Sequence, residues 1–104
     1  VPAVDHLNGE LFHGTAHPFE PGDIVSPTDT EHTEFPTAWA TPRMDEANQI
    51  ARAKVRRHNR RNPDDPATEH VFAVEHMSKP VDVWGRANVA ADPVGFRVLR
   101  RVGP

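Results

Sequence analysis

The chain contains no cysteine. Disulfides, thiolate zinc sites and a cysteine nucleophile are therefore excluded, while the redox compartment stays open. No apolar run approaches the roughly 18 residues that a bilayer-spanning helix needs. No charged segment followed by an apolar one opens the chain either, so neither a membrane partner nor a secretory leader is expected, and the working expectation is a cytoplasmic protein. Lys and Arg are missing from residues 1–42, whereas six of the twelve fall between Arg52 and Arg61, on a chain of net charge −3. Such a stripe reads as one solvated helix face or as the footprint of an anionic partner. The first residue is Val1 rather than Met, and the expectation drawn from it is a piece of a longer protein.

What is present suits one domain spanning residues 1–104, with no internal repeat. A domain of this size must build its core from few residues. Apolar residues make up 37%, and 11 prolines and 6 glycines punctuate the chain. Val, Ile, Leu, Phe and Trp still recur in short clusters, so the composition is that of a folded chain with short strands and much loop.

Glu10–His13 reads as a short strand entered through the turn dipeptide Asn8-Gly9. The following loop carries Pro18, Pro21-Gly22, Pro27 and Pro36, with Ile24-Val25 as a brief strand inside it. Ala38-Trp39-Ala40 is a second extended segment. A helix is predicted to start with Thr41 as N-cap and Pro42 at the first helical position, and to end near Asn62-Pro63. Met44, Ala47, Ile50, Ala51 and Val55 share one face at helical spacing. Asp45 and Glu46 near the start and arginines near the end suit the helix dipole. His70–Glu75 is nearly continuous in apolar character and reads as a buried central strand. Pro80–Trp84 alternates like a half-buried strand, and Phe96–Arg100 is a last one, extending towards Val102. The expected class is α+β: four to six short strands and one main helix inserted between the early and late strands.

His13 is the most suggestive candidate for chemistry. A histidine at a strand end, followed by Gly14 and Thr15, can aim its imidazole and the next backbone groups at one ligand, and a glycine allows close approach. The competing reading is a structural histidine in a strand-to-loop turn, because a three-residue motif has a high false-positive rate. Metal binding is not expected. His13 and His17 are four apart but broken by Pro18, and His70 and His76 are too distant to chelate together.

Leu11-Phe12-His13-Gly14-Thr15, with Phe19-Glu20-Pro21-Gly22-Asp23-Ile24-Val25-Ser26-Pro27 behind it, resembles the opening of the rifampin ADP-ribosyltransferase family. Ala38-Trp39-Ala40-Thr41 and Met44-Asp45-Glu46-Ala47 continue the likeness. Val71–Glu75, Pro80-Val81-Asp82 and Phe96–Leu99 follow in the same order, covering most of residues 11–102. The resemblance implies an ADP-ribosyltransferase-like fold, a split sheet of short strands with one main helix. It implies NAD⁺ as co-substrate, with no metal. By position, His13 would bond the nicotinamide ribose, the Gly14 backbone would hold the nicotinamide amide, and Thr15 would support the turn. Trp39 stands where the family has a stacking Tyr: an indole can stack but has no hydroxyl. Trp39 is equally readable as a core aromatic. Asp82 is the nearest match to the family's acidic residue, across an apparent insertion at residues 76–80, and as a catalytic group it competes with a plain solvated carboxylate. Arg43, Arg52 and Arg86 are candidates for the diphosphate.

The implied activity is transfer of ADP-ribose from NAD⁺ to an acceptor, releasing nicotinamide, with His13 and Asp82 as catalytic residues and His13, Gly14, Thr15 and Trp39 binding the cofactor. The acceptor would be an ansamycin hydroxyl, as in antibiotic resistance, or a protein or nucleic acid. The rival reading is an inactive domain of the same fold serving as a binding or structural module. A third is a nucleic-acid-binding domain using residues 52–61, though the helix lacks interleaved aromatics.

Overall fold

The structure, a computed structural model, describes residues 10–27, 36–78 and 89–103. The element order is β1 (Leu11–Thr15), β2 (Ile24–Val25), β3 (Ala38–Ala40), α1 (Met44–Arg61), β4 (His70–His76), β5 (Ala90–Asp92) and β6 (Phe96–Gly103). An antiparallel four-stranded sheet runs β1-β4-β6-β2, and β3 pairs with β5 in a second sheet. This is the expected α+β architecture, with β4 in the interior of the larger sheet. Pro80–Trp84, and Asp82 with it, lies outside the described residues.

The two faces of the larger sheet carry different partners. Along β4, Val71 belongs with Ala47 and Ala51 of α1. Phe72 and Val74 turn to the opposite face and pack with Ala38, Ala40 and Ala90 of the smaller sheet. Phe72, Phe96, Val71 and Val98 are fully buried, and each contributes about 1.5–3 kcal/mol of apolar transfer. The helix therefore covers one face and β3–β5 the other.

The register between β1 and β4 then decides where the motif points. His13 pairs with Phe72, and Gly14 with Val71. Partners across an antiparallel pair share a face, so the His13 side chain turns towards the smaller sheet while Gly14 faces α1. The helix sits so close there that a Cβ on Gly14 would lie 2.0 Å from the Ala47 carbonyl oxygen.

The helix begins later than the sequence predicts. Thr41 is not its N-cap, because the Thr41 backbone is held extended by Phe12. The Phe12 N–H donates to the Thr41 carbonyl at 2.7 Å and the Thr41 N–H to the Phe12 carbonyl at 2.9 Å. Only beyond that bridge can the backbone coil. Arg43 takes the N-cap position, with no capping hydrogen bond from its side chain, and the Thr41 hydroxyl accepts the Arg43 N–H at 3.2 Å. The far end matches expectation: Asn62 closes the helix with its N–H on the His58 carbonyl at 2.8 Å.

Asp92 ties the end of β4 to the turn before β6. It is fully buried. One carboxylate oxygen accepts from His76 Nδ1 at 2.8 Å, from the Met77 N–H at 3.0 Å and from the Ser78 N–H at 2.9 Å. The other accepts from the Ser78 hydroxyl at 2.7 Å, from the Val94 N–H at 2.8 Å and from the Gly95 N–H at 3.1 Å. Burial pushes the acid's pKa up, yet the bonds from Ser78, His76 and Val94 together outweigh it and hold the pKa at about 2. Gly95 closes the turn at φ +128°, a conformation that favours glycine.

Candidate functional site

A cleft of about 620 Å³ opens between β1, β3 and α1, and His13, Gly14 and Trp39 all line it. It exists because β1 and the β3 segment are joined by one rung and then part. After the Phe12–Thr41 rung, the next one in an antiparallel ladder would join Gly14 to Trp39. No Gly14–Trp39 bond is made among the described residues. Side chains take the two carbonyls of that missing rung. His13 Nδ1 lies 2.9 Å from the Trp39 carbonyl oxygen, and Lys54 Nζ donates to the Gly14 carbonyl at 2.9 Å.

These contacts set the state of His13. A carbonyl can only accept, so Nδ1 carries the proton and Nε2 carries the lone pair. Burial lowers the pKa to about 4, with the Lys54 charge pushing the same way and the bond to Trp39 opposing both. At neutral pH the ring is uncharged and weakly basic. It is suited to accept a hydrogen bond from a ligand hydroxyl, and poorly suited to act as a general base.

The sequence-predicted residues divide clearly. Thr15 is buried behind the strand end, its hydroxyl accepting the His17 N–H at 3.0 Å, so it shapes the turn. Gly14 is required for close approach, but its bare Cα faces the helix backbone and only its N–H and C=O edge faces the cleft. Trp39 is part-buried against Val89 and Ala91 while lining the cleft, so core and site roles coincide. Of the cations considered for a diphosphate, Arg43 is held by Asp45 at 2.7 Å and Arg52 lies 3.3 Å from Glu69. Neither lines the cleft, and Arg86 lies outside the described residues.

The cations on the cleft wall are instead Lys54 and Arg57, one helical turn apart on α1. Lys54 was findable: it continues the Met44, Ala47, Ala51 stripe at helical spacing, where a long cation must extend along the packed face to reach its partner. The wall also bears the hydroxyls of Ser26, Thr37 and Thr41, and no Asp or Glu among the described residues. The histidines considered as metal ligands are dispersed. The His17 ring packs on Phe19 at 4.4 Å, and His70 and His76 occupy opposite ends of β4.

The fold and the cleft define a small α+β domain whose candidate site lies where two strands separate. The chain matches no family model and no curated protein.

Proposed function

We propose that the domain binds NAD⁺ in this cleft and transfers its ADP-ribose to an acceptor, releasing nicotinamide. The observation that carries the reading is the missing rung, which brings the imidazole of His13, the backbone edge of Gly14 and the indole of Trp39 to one opening. Trp39 offers a face on which a nicotinamide ring stacks. The Gly14 N–H donates to the carboxamide oxygen, and His13 Nε2 accepts from a ribose hydroxyl. In the reaction the bond between ribose C1′ and the pyridinium nitrogen breaks. Its electron pair leaves with nicotinamide, and the acceptor oxygen or nitrogen adds to the oxocarbenium carbon and loses its proton. Asp82 is the carboxylate assigned to stabilise that cation. Orientation of the acceptor supplies much of the remaining acceleration. An ansamycin hydroxyl, a protein side chain and a nucleic acid all offer suitable nucleophiles.

The experiment is nicotinamide release from NAD⁺ by the wild type, His13→Ala and Asp82→Ala. Each variant is expected to lose on the order of 100-fold or more in rate. Release that is indifferent to His13 overturns the site assignment.

A second reading, a binding or structural module without turnover, draws on the structural tasks of the same residues. Gly14 is needed by the helix and His13 stitches two strands together, so the motif has a use without catalysis. NAD⁺ binding by calorimetry with no nicotinamide release would select that reading.

A further inference from the structure

We infer that the C-terminal half of α1 is the docking surface for the acceptor, and that the acceptor is a single-stranded nucleic acid. The inference rests on the proposed transfer of ADP-ribose in the cleft and names the substrate class of that same site.

The helix is longer than its packing requires. Its buried residues are Ala47 and Ala51, and none lies beyond Ala51 in the 18 residues from Met44 to Arg61. A helix gains most of its stability from a packed face, so the last turns are held by other means. His58 Nε2 lies 2.9 Å from the Asp65 carbonyl oxygen, and the Asn59 side chain accepts the Ala67 N–H at 2.7 Å. Helical spacing puts both residues on the side of Ala51 and Val55. The returning segment lies along that side, and the opposite side stays open.

Arg56, Arg57, Arg60 and Arg61 occupy the open side and are exposed. Among the described residues, none of the four has a hydrogen bond or an ion pair. The neighbouring cations are engaged: Arg43 by Asp45, Arg52 by Glu69 and Lys54 by the Gly14 carbonyl. Arg60 and Arg61 suit the helix dipole. Arg56 and Arg57 lie a turn earlier, and the pairs Arg56–Arg60, Arg57–Arg61 and Arg57–Arg60 set like charges at spacings that destabilise a helix. Asp64 and Asp65, just beyond the helix, form no ion pair with them. Such a concentration of charge on a chain of net charge −3 has no structural return and points to an anionic partner.

The pattern fits a chain of phosphates. Arg56 with Arg60, and Arg57 with Arg61, form two files with a step of about 6 Å, four residues of helical rise. A nucleic-acid strand offers a phosphate at every nucleotide, about 3.4 Å apart along a duplex axis and further apart when extended. All four cations are arginine, whose planar fork matches pairs of phosphate oxygens. Position joins this surface to the cleft, because Arg57 lines the opening and Arg61 follows it one turn outward. A strand bound along that file reaches the cleft directly. The opening, about 620 Å³ between β1, β3 and α1, is the size of a small-molecule site. Its mouth admits an unpaired nucleotide and excludes a duplex, whose bases are reached only after being drawn from the stack. A base nitrogen or ribose hydroxyl of that nucleotide adds to C1′ of the ADP-ribose and loses its proton, while nicotinamide leaves with the electron pair.

The test uses the full chain with a short single-stranded oligonucleotide of mixed sequence, as DNA and as RNA, its duplex, and polyglutamate. Fluorescence anisotropy reads affinity against salt concentration, and with NAD⁺ present both nicotinamide release and adducts on the oligonucleotide are followed. The proteins are the wild type, a variant combining Arg56→Gln, Arg57→Gln, Arg60→Gln and Arg61→Gln, and a control, Arg100→Gln, whose guanidinium is held by Glu10. Melting temperatures are checked for each. Four phosphate contacts on a single strand give a slope of log affinity against log salt of about −3, which is about 50-fold weaker binding between roughly 50 and 200 mM. The combined variant is expected to lose that dependence and the adduct, and Arg100→Gln to change neither. Should the combined variant not fold, Arg57→Gln with Arg61→Gln alone is expected to remove about half of the slope. Nicotinamide release accompanied by binding that is indifferent to the arginines, or by no adduct, overturns the acceptor assignment and leaves the NAD⁺ reading standing. Arginine-dependent binding of the single strand without any nicotinamide release overturns the NAD⁺ reading and keeps the docking surface. Polyglutamate that binds more tightly than the oligonucleotide, or a duplex modified as fast as the single strand, overturns the partner named here.

Discussion

Protonating His13 should cost this domain much of its stability, in a defined pH window. The pKa is lowered from 6.5 to about 4 by burial and by Lys54. Because the unfolded chain binds the proton more readily, stability falls as pH drops from about 6.5 through 4 and is unaffected above that range. At 1.36 kcal/mol per pKa unit, the full penalty is about 3 kcal/mol, a large share of the roughly 5–15 kcal/mol typical of a domain. His70 is also pushed down, by burial first and then by Arg101 and His17, so the wild-type profile alone does not isolate His13. The informative quantity is the difference between wild type and His13→Gln, whose amide can still donate to the Trp39 carbonyl and does not titrate. Urea unfolding between pH 8 and pH 4 should show the wild type losing about 3 kcal/mol relative to the variant. Nitrogen-detected NMR at pH 7 should find the proton on Nδ1. A His13 ring that titrates near 6.5, or parallel stability profiles for the two proteins, would refute both the buried geometry and the assigned tautomer.

Gly14→Ala places a methyl group 2.0 Å from the Ala47 carbonyl oxygen, and backbone on both sides leaves little room to yield. We expect a loss of about 3 kcal/mol or more in chemical denaturation; a variant of near-native stability would mean that α1 does not pack there as described. Asp92→Asn keeps the shape of the acid but turns an NH₂ towards donors that now meet an oxygen. The expected cost at pH 7 is about 4 kcal/mol. The gap between this variant and the wild type should narrow by about 2 kcal/mol as pH falls from 3.8 through 2, where the Asp92 carboxylate protonates. A constant gap across that window would show that the charge of Asp92 contributes nothing.

Much of this fold is readable from the sequence where one period dominates. The spacing of Met44, Ala47 and Ala51 makes α1 unmistakable, and the run from Val71 to Val74 marks a strand covered on both faces. Trp39 announces β3 because a large aromatic between two alanines suits a short buried strand. The sequence is least informative where structure depends on distant partners. Ala90-Ala91-Asp92 carries no β-branched residue, and β5 exists because β3 lies beside it. Thr41 looks like a helix cap and becomes a bridge residue because Phe12, 29 positions earlier, claims its backbone. The Asp92 knot had a local signal in Asp92-Pro93-Val94-Gly95, an acid followed by proline and then glycine, which is turn chemistry. That its carboxylate also gathers His76, Met77 and Ser78 could be known only once β4 and β6 were paired.

His13-Gly14-Thr15 shows why a motif read along the chain understates what it does across it. The three residues share one strand, yet each serves a different element: His13 the carbonyl of β3, Gly14 the backbone of α1, and Thr15 the turn beyond. Gly14 lets the helix approach closely enough for Lys54 to reach the strand edge, and that contact removes the carbonyl half of the missing rung. His13 removes the other carbonyl. Had β1 and β3 continued as a ladder, all four backbone groups would have satisfied one another and no opening would exist. Had they parted with nothing in place of the rung, two carbonyls and two N–H groups would have faced the cleft with no net preference. Instead an imidazole and an ammonium take the two carbonyls, and the ammonium sets a positive charge beside the opening. The geometry of the opening therefore depends on Lys54, on the helix, as well as on the residues of the motif itself.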